Sequence, residues 1–342
     1  LTIVNILRYK KGMFRKLALI FLLPGILFAR ERYVPDAETG AAKAEQPWFT
    51  GPLIASGSTT IPVGHWNIQP YFFATQVPAQ YTQDWDTEKI PTFWTLNTQV
   101  PLWIGLTKWM DIEIQPQWSW NHQSAVGGHW TIGDCNVQLE FQLYRADFPP
   151  KNWLPSIKFA IREALPLGKY RNLDPRKHSV EMGGSGSWAT SFIVVIGRMF
   201  HLSGVHYLSA RLNGMYTIFA PVHVKGFNTY GGGFGTDGSV RSRPSFFLDL
   251  GLELSLTRNW ALALDVIGRW RGGNSFSGTP GRLPGGSPAS NTSLAGIQYS
   301  IAPAIEYNFN SQLGIIAGPW ITFAGKESNQ FYSGVISVNY YQ

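Results

Sequence analysis

The chain is short of three things common at its length: cysteine, charge and long apolar runs. Cys135 is the single cysteine in 342 residues, so no internal disulfide can form and stability must come from pairing and packing. Asp, Glu, Lys and Arg make up 14% of the sequence, against about a quarter in typical soluble domains. Much of the surface is therefore expected to face lipid rather than water. Yet no apolar run approaches the ~20 residues that a spanning helix needs, which leaves strands as the only way across a membrane.

Several function classes fall with these shortages. The net charge is +7, but Arg8, Lys10, Lys11, Arg15 and Lys16 all precede residue 30; without them 23 basic residues face 21 acidic ones. No basic face remains to track phosphates, so a nucleic-acid partner is not expected. The histidines show no metal-binding spacing: His122 and His129 share one connection, His201 and His206 flank another, and none sits with Cys135. Gly231 to Gly235 and Gly184-Ser185-Gly186 lack the strand and helix that a phosphate-cradling loop requires. No metal or cofactor is expected.

What is present begins with an export signal. Basic residues to Lys16 are followed by the apolar run Leu17 to Phe28 and then by Ala29 before polar Arg30, which reads as a signal peptide over 1–29 with Met13 as a candidate start. Residues 30–60, with Pro35, Gly40 and Pro47, read as a periplasmic lead. The remainder, 61–342, reads as a transmembrane β-barrel.

That reading rests on two-residue periodicity. Between Asp111 and Trp120, Ile112, Ile114, Pro116, Trp118 and Trp120 alternate with Asp111, Glu113, Gln115, Gln117 and Ser119. Cys135 to Leu143, Phe246 to Leu254, Leu262 to Val266 and Ile297 to Tyr307 repeat the pattern. A strand puts each set on its own face, whereas a helix would scatter them. Weaker versions occupy 66–76, 93–105, 153–165, 187–200, 205–219, 312–324 and 331–341, giving an all-β antiparallel up-and-down barrel of twelve strands, with ten or fourteen as alternatives.

Short links near 106–108, 145–152, 201–204, 256–259 and 308–311 alternate with long ones near 77–92, 121–130, 166–186, 220–244 and 271–293, and a shorter one at 325–330 completes the set. Outer-membrane barrels combine short periplasmic turns with longer outer loops, so both ends of the barrel are expected in the periplasm of a bacterial outer membrane. The rival fold is a secreted β-sandwich, which also alternates but has no reason to sort its loops by length.

The polar faces supply the candidate lumen: Asp111, Glu113, Gln115, Asp134, Gln138, Glu140, Arg162, Arg211, Asp249, Glu253, Asp265, Arg269 and Glu306, with Lys158 among them. Charged residues at membrane depth mark solute paths, although acids and bases that pair across the lumen would also simply stiffen it. The surplus of acids favours cations or hydroxylated neutral solutes over anions. Catalytic signals are weak. His206 and Ser209 fall on opposite faces of one strand, and the two-residue spacing of Asp111 and Glu113 follows from strand alternation alone. The chain is not expected to be an enzyme.

Four stretches carry a family resemblance: Gly64-His65-Trp66-Asn67-Ile68-Gln69-Pro70-Tyr71, Gly133-Asp134, Leu165-Pro166-Leu167-Gly168-Lys169-Tyr170, and Gly184-Ser185-Gly186-Ser187-Trp188. Together they resemble the outer-membrane transporters assigned to the MetA pathway of phenol degradation, over roughly 50–341. The resemblance implies a barrel that passes aromatic or other hydrophobic small molecules; it carries over no substrate-binding residue. The sequence closes on Tyr341 and Gln342, where such barrels usually end on an aromatic residue read by the insertion machinery, and Tyr341 can serve. The expected partners are outer-membrane lipid, that machinery and a small solute. The expected function is an outer-membrane channel working by passive or facilitated diffusion, with a lipid-acting enzyme or a structural or adhesive barrel as alternatives.

Overall fold

A computed structural model describes residues 47–147 and 152–342. The expected signal peptide at 1–29 and the lead as far as residue 46 lie outside the described residues.

Twelve antiparallel strands close into one barrel. They are β1 (Trp66–Ile68 and Tyr71–Tyr81), β2 (Thr87–Gln99 and Leu102–Gly105), β3 (Met110–Gln115 and Gln117–Gln123), β4 (Gly127–Ile132 and Cys135–Tyr144), β5 (Ser156–Leu165), β6 (Ala189–Ser203), β7 (His206–Phe219), β8 (Ser245–Ser255), β9 (Trp260–Arg271), β10 (Gly296–Asn308), β11 (Leu313–Lys326) and β12 (Ser328–Tyr341). Each strand pairs with its sequence neighbour, and β12 closes on β1 through Asn67 opposite Tyr341 and Tyr71 opposite Ser337. Closure removes every edge except where a ladder is broken, which is the condition for a sheet to stand in lipid.

The outer face shows why lipid is its solvent. Phe192, Val194 and Ile196 on β6, Leu212 and Tyr216 on β7, Leu250 on β8, Leu262 and Val266 on β9, and Ile305 on β10 are all exposed. Inward neighbours such as Ser191, Asn213, Asp249 and Asp265 are buried. Trp109, Trp260 and Tyr340 lie near the strand ends at the short-turn rim, and Trp94, Trp130 and Trp188 near the opposite one, as two aromatic girdles.

The first four strands share one crease. β1 is interrupted at Gln69-Pro70, β2 at Val100-Pro101, β3 at Pro116 and β4 at Gly133-Asp134. These breaks are neighbours across the sheet, because Gln69 N–H donates to Pro101 O, Val100 N–H to Pro116 O and Gly133 N–H to Gln117 O. A proline cannot donate to the ladder, so three in adjacent strands bend the wall along a line. Beyond the crease the outer half of β4 (Gly127–Ile132) pairs with β3 alone.

Strict alternation of loop length does not hold. The stretches 77–92 and 121–130, expected as long loops, are mostly strand: β1 and β2 run on to a turn at 82–86, and β3 and β4 to one at 124–126. Pro78 and Pro91 are absorbed by the register shift between Val77 and Ala79, where Phe93 and Lys89 are the successive partners. The long outer loops are therefore 166–188, 220–244 and 272–295. They fold together: Arg171–Leu173 pairs with Phe227–Asn228, and Val222–Lys225, Asp237–Ser242 and Asn274–Thr279 form a small sheet. Val222, Val224 and Val240 make its core, with Tyr170, Tyr230 and Phe276 packed against them.

Candidate functional site

The largest departure from expectation concerns the lead. Its described part begins at the short-turn rim, where Trp48 N–H donates to Arg258 O, and residues 50–62 form a strap running along the inner wall. Thr50 N–H donates to Glu306 on β10. Ile54 and Ala55 donate to Asp265 on β9 at 3.2 and 3.0 Å, Thr60 N–H to Gln142 on β4 at 2.8 Å, and Ile61 N–H to Asp111 on β3 at 2.5 Å. Five of the strap's backbone donors are thus satisfied by wall side chains, which serves the requirement for burying an irregular segment. Polarity read that segment as periplasmic; its N–H groups find their acceptors in the lumen instead.

Apolar contacts seat it as well. Leu53, 1% exposed, packs on Ala263, Ala302, Ile316 and Val335, small or flat side chains facing inward from β9 to β12. Where the strap runs closest, the wall has no side chain: a Cβ on Gly105 would stand 1.9 Å from Pro62 O, and one on Gly251 2.5 Å from the Ala55 methyl.

Twelve of the thirteen sequence candidates take inward positions in their strands, eleven of them in two groups with Arg269 apart, and Asp134 sits in the break between the two segments of β4. In the first, Lys158 bonds Glu140 at 2.5 Å, Gln138 donates to Glu140, and Arg162 bonds Gln138 at 2.7 Å and approaches Glu113 at 3.7 Å. Asn136 donates to Gln115, and Gln115 to Gln99. In the second, Arg211 bonds Glu253 at 2.7 Å, while Asp265 and Glu306 hold the strap. Both oxygens of Asp249 are buried without a hydrogen-bond partner. Asp111, Glu113, Gln138, Glu140, Asp249, Glu253, Asp265 and Glu306 are each at most 5% exposed. With the strap seated these groups meet wall and strap.

Asp134 has a different place. It sits at the crease and accepts from Gly168 N–H at 3.0 Å, Ser185 N–H at 2.9 Å and the Ser185 hydroxyl at 3.1 Å. A Cβ on Gly184 would lie 2.1 Å from its Oδ1. Three glycine-centred stretches distant in sequence thus meet at one junction that ties loop 166–188 to the wall. The loop also reaches β3, where Asn121 donates to Val180 O and Met182 O.

Arg269 lies apart from both groups, at the outer end of β9. With Arg271 it borders a cavity of about 450 Å³ that also touches Tyr81, Gln298 and Glu327. Sequence reasoning named Arg269 and missed Arg271, which shares its inward parity two residues on. His206 and Ser209 do not meet: Ser209 is buried on the inner face, whereas His206 bonds Ser255 O at 3.0 Å.

No family model matches the chain, and no curated protein is similar to it. Solved structures are. An outer membrane channel from Pseudomonas putida F1 superposes with a TM-score of 0.64 at 14% identity, over 84% of this chain and 99% of that one. The β domain of the Bordetella autotransporter BrkA gives 0.43 at 10% identity, over 81% and 99%. The Pseudomonas putida toluene transporter TodX gives 0.39 at 12%, over 82% and 90%. The first of these likenesses establishes the fold, that of an outer-membrane β-barrel.

Proposed function

We propose that the protein is an outer-membrane channel for a small solute, aromatic or hydrophobic molecules among them, working by passive or facilitated diffusion and gated by its own strap. The observation that carries this reading is the strap itself: a polar lumen wide enough to hold an irregular chain segment becomes a pathway when that segment leaves. Its polar attachments suit release, because they are backbone N–H bonds to wall carboxylates and to the Gln142 amide that water can replace. The resemblance to transporters of the MetA pathway of phenol degradation points the same way, as does the channel named for the P. putida structure.

Conductance in planar bilayers tests the proposal. The intact protein should show low or intermittent conductance, and a form lacking residues 47–61 a larger and steadier one. A deleted form that keeps the heat-modifiable mobility of a folded barrel, yet shows neither conductance nor solute flux, would sink the reading.

A further inference from the structure

The geometry points to the rim cavity between Arg269 and Arg271 as a subsite for a small organic carboxylate, and this rests on the channel reading above. Both arginines occupy inward positions of β9, two residues apart, where the register sets Arg269 between Phe247 and Gln298 and Arg271 between Ser245 and Gly296. Arg271 is held by the Glu327 carbonyl at 3.2 Å. Arg269 lies over the Phe247 ring, its Cζ 5.7 Å from the centroid. Stacking uses the face of a guanidinium and leaves its edge free, where five N–H donors point outward in a fork that matches a carboxylate.

Among the described residues no carboxylate fills that fork. Glu88 and Glu327 border the cavity, yet among the described residues no carboxylate pairs with either arginine. Three basic residues deeper in the lumen behave otherwise: Lys158, Arg162 and Arg211 each have an acidic partner. Both arginines are exposed at the rim, where a solute can reach them, and two like charges side by side repel. A carboxylate accepting from Arg269 would offset that repulsion. The roughly 450 Å³ of space falls within the size range of small-ligand sites, and Tyr81 and Ile297 in its lining offer apolar surface to the body of such a molecule.

Isothermal titration of the full-length protein in detergent tests this, with benzoate, benzylamine, benzyl alcohol and inorganic phosphate as probes. Benzoate should bind about tenfold more tightly than each of the others, as expected when a charge-assisted fork is made or missing. Arg269→Gln should weaken benzoate about tenfold, while Arg269→Lys, which keeps the charge without the fork, should fall between. Equal binding of benzylamine or benzyl alcohol, or benzoate affinity unchanged in a folded R269Q barrel, overturns the subsite; equal binding of phosphate overturns its preference for an organic acid. Flux of arabinose into proteoliposomes separates the two proposals. Flux without benzoate preference leaves the channel standing and removes the subsite, whereas benzoate binding without flux from the strap-deleted form does the reverse.

Discussion

Ala55 is hung by its backbone from Asp265: its N–H lies 3.0 Å from one carboxylate oxygen, and the N–H of Ile54 lies 3.2 Å from the other. Hydrogen bonds to a charged acceptor are roughly twice as strong as neutral ones. Asp265→Asn keeps the shape, removes the charge and leaves one oxygen to serve two donors. The strap should be weakened by about 1–2 kcal/mol, which corresponds to roughly a five- to thirtyfold rise in the ratio of open to closed channel. Single-channel recording reads that ratio directly. The barrel itself should keep its stability, because the change also relieves repulsion with Asp249, which faces inward from the adjoining strand.

The opposite manipulation fixes the strap in place. Gly197 on β6 faces Ser58 so closely that a Cβ added there would lie 2.6 Å from the Ser58 Cβ. A disulfide spans about 3.8 Å between Cβ atoms, so a Ser58→Cys, Gly197→Cys pair needs a relaxation of roughly 1 Å. In a Cys135→Ser background the oxidised pair should hold conductance at its low level, and reduction should restore intermittent opening. Conductance indifferent to oxidation, with the bridge verified by mass spectrometry, would show that the strap does not need to leave for current to pass.

At the crease, Asp134→Ala removes three hydrogen bonds to Gly168 and Ser185 at once. The donors left behind are partly buried, so the loss should amount to about 2–4 kcal/mol of local stability, concentrated in loop 166–188. Limited trypsin digestion at Lys169, Arg171, Arg176 and Lys177 should accelerate by an order of magnitude or more, while the barrel strands stay protected. Digestion unchanged from the parent would mean that the packing of the loop against Asn121 and the other outer loops suffices without Asp134.

The wall was largely legible in the sequence because alternation is a local signal with a single physical cause, a strand between two different solvents. Asp249, Glu253 and Asp265 could be placed inward from their immediate neighbours alone. The strap was not legible, since nothing in Thr50 to Pro62 distinguishes a segment that donates its N–H groups to water from one that donates to Asp111, Asp265 and Glu306. A trace did exist in the wall: Gly105, Gly197, Gly251 and Gly314 occupy inward positions where a barrel facing only solvent has no need of glycine, and each lies against the strap. The outer parts of β1 to β4 were missed for the reverse reason. Beyond the membrane the alternation fades, and the ladder is carried by backbone pairs such as Tyr81 with Thr87 and Gln123 with Gly127, which leave no mark on side-chain choice.

Loop 166–188 carries one acid whose ionisation should govern its order. Glu181 is 2% exposed. Burial alone would raise its pKa, but Lys169 at 2.8 Å, the Asp174 N–H at 2.6 Å and Lys177 at 3.2 Å outweigh that and hold it below the ordinary glutamate range. A carboxylate depressed in the folded state contributes stability above its unfolded pKa and loses it as the pH falls through the folded value. The loop should therefore stay ordered at neutral pH and through the range where an ordinary glutamate takes up its proton, and loosen only in more acid solution. Hydrogen exchange of amides 169–184, corrected for the intrinsic rate, should rise there while exchange in β6 and β7 stays slow. Glu181→Gln keeps the shape and removes the charge, so it should exchange at neutral pH as the parent does in acid. A variant as protected as the parent at neutral pH would show that the loop is held by Asp134 and its packing, with the two lysine pairs contributing no measurable order.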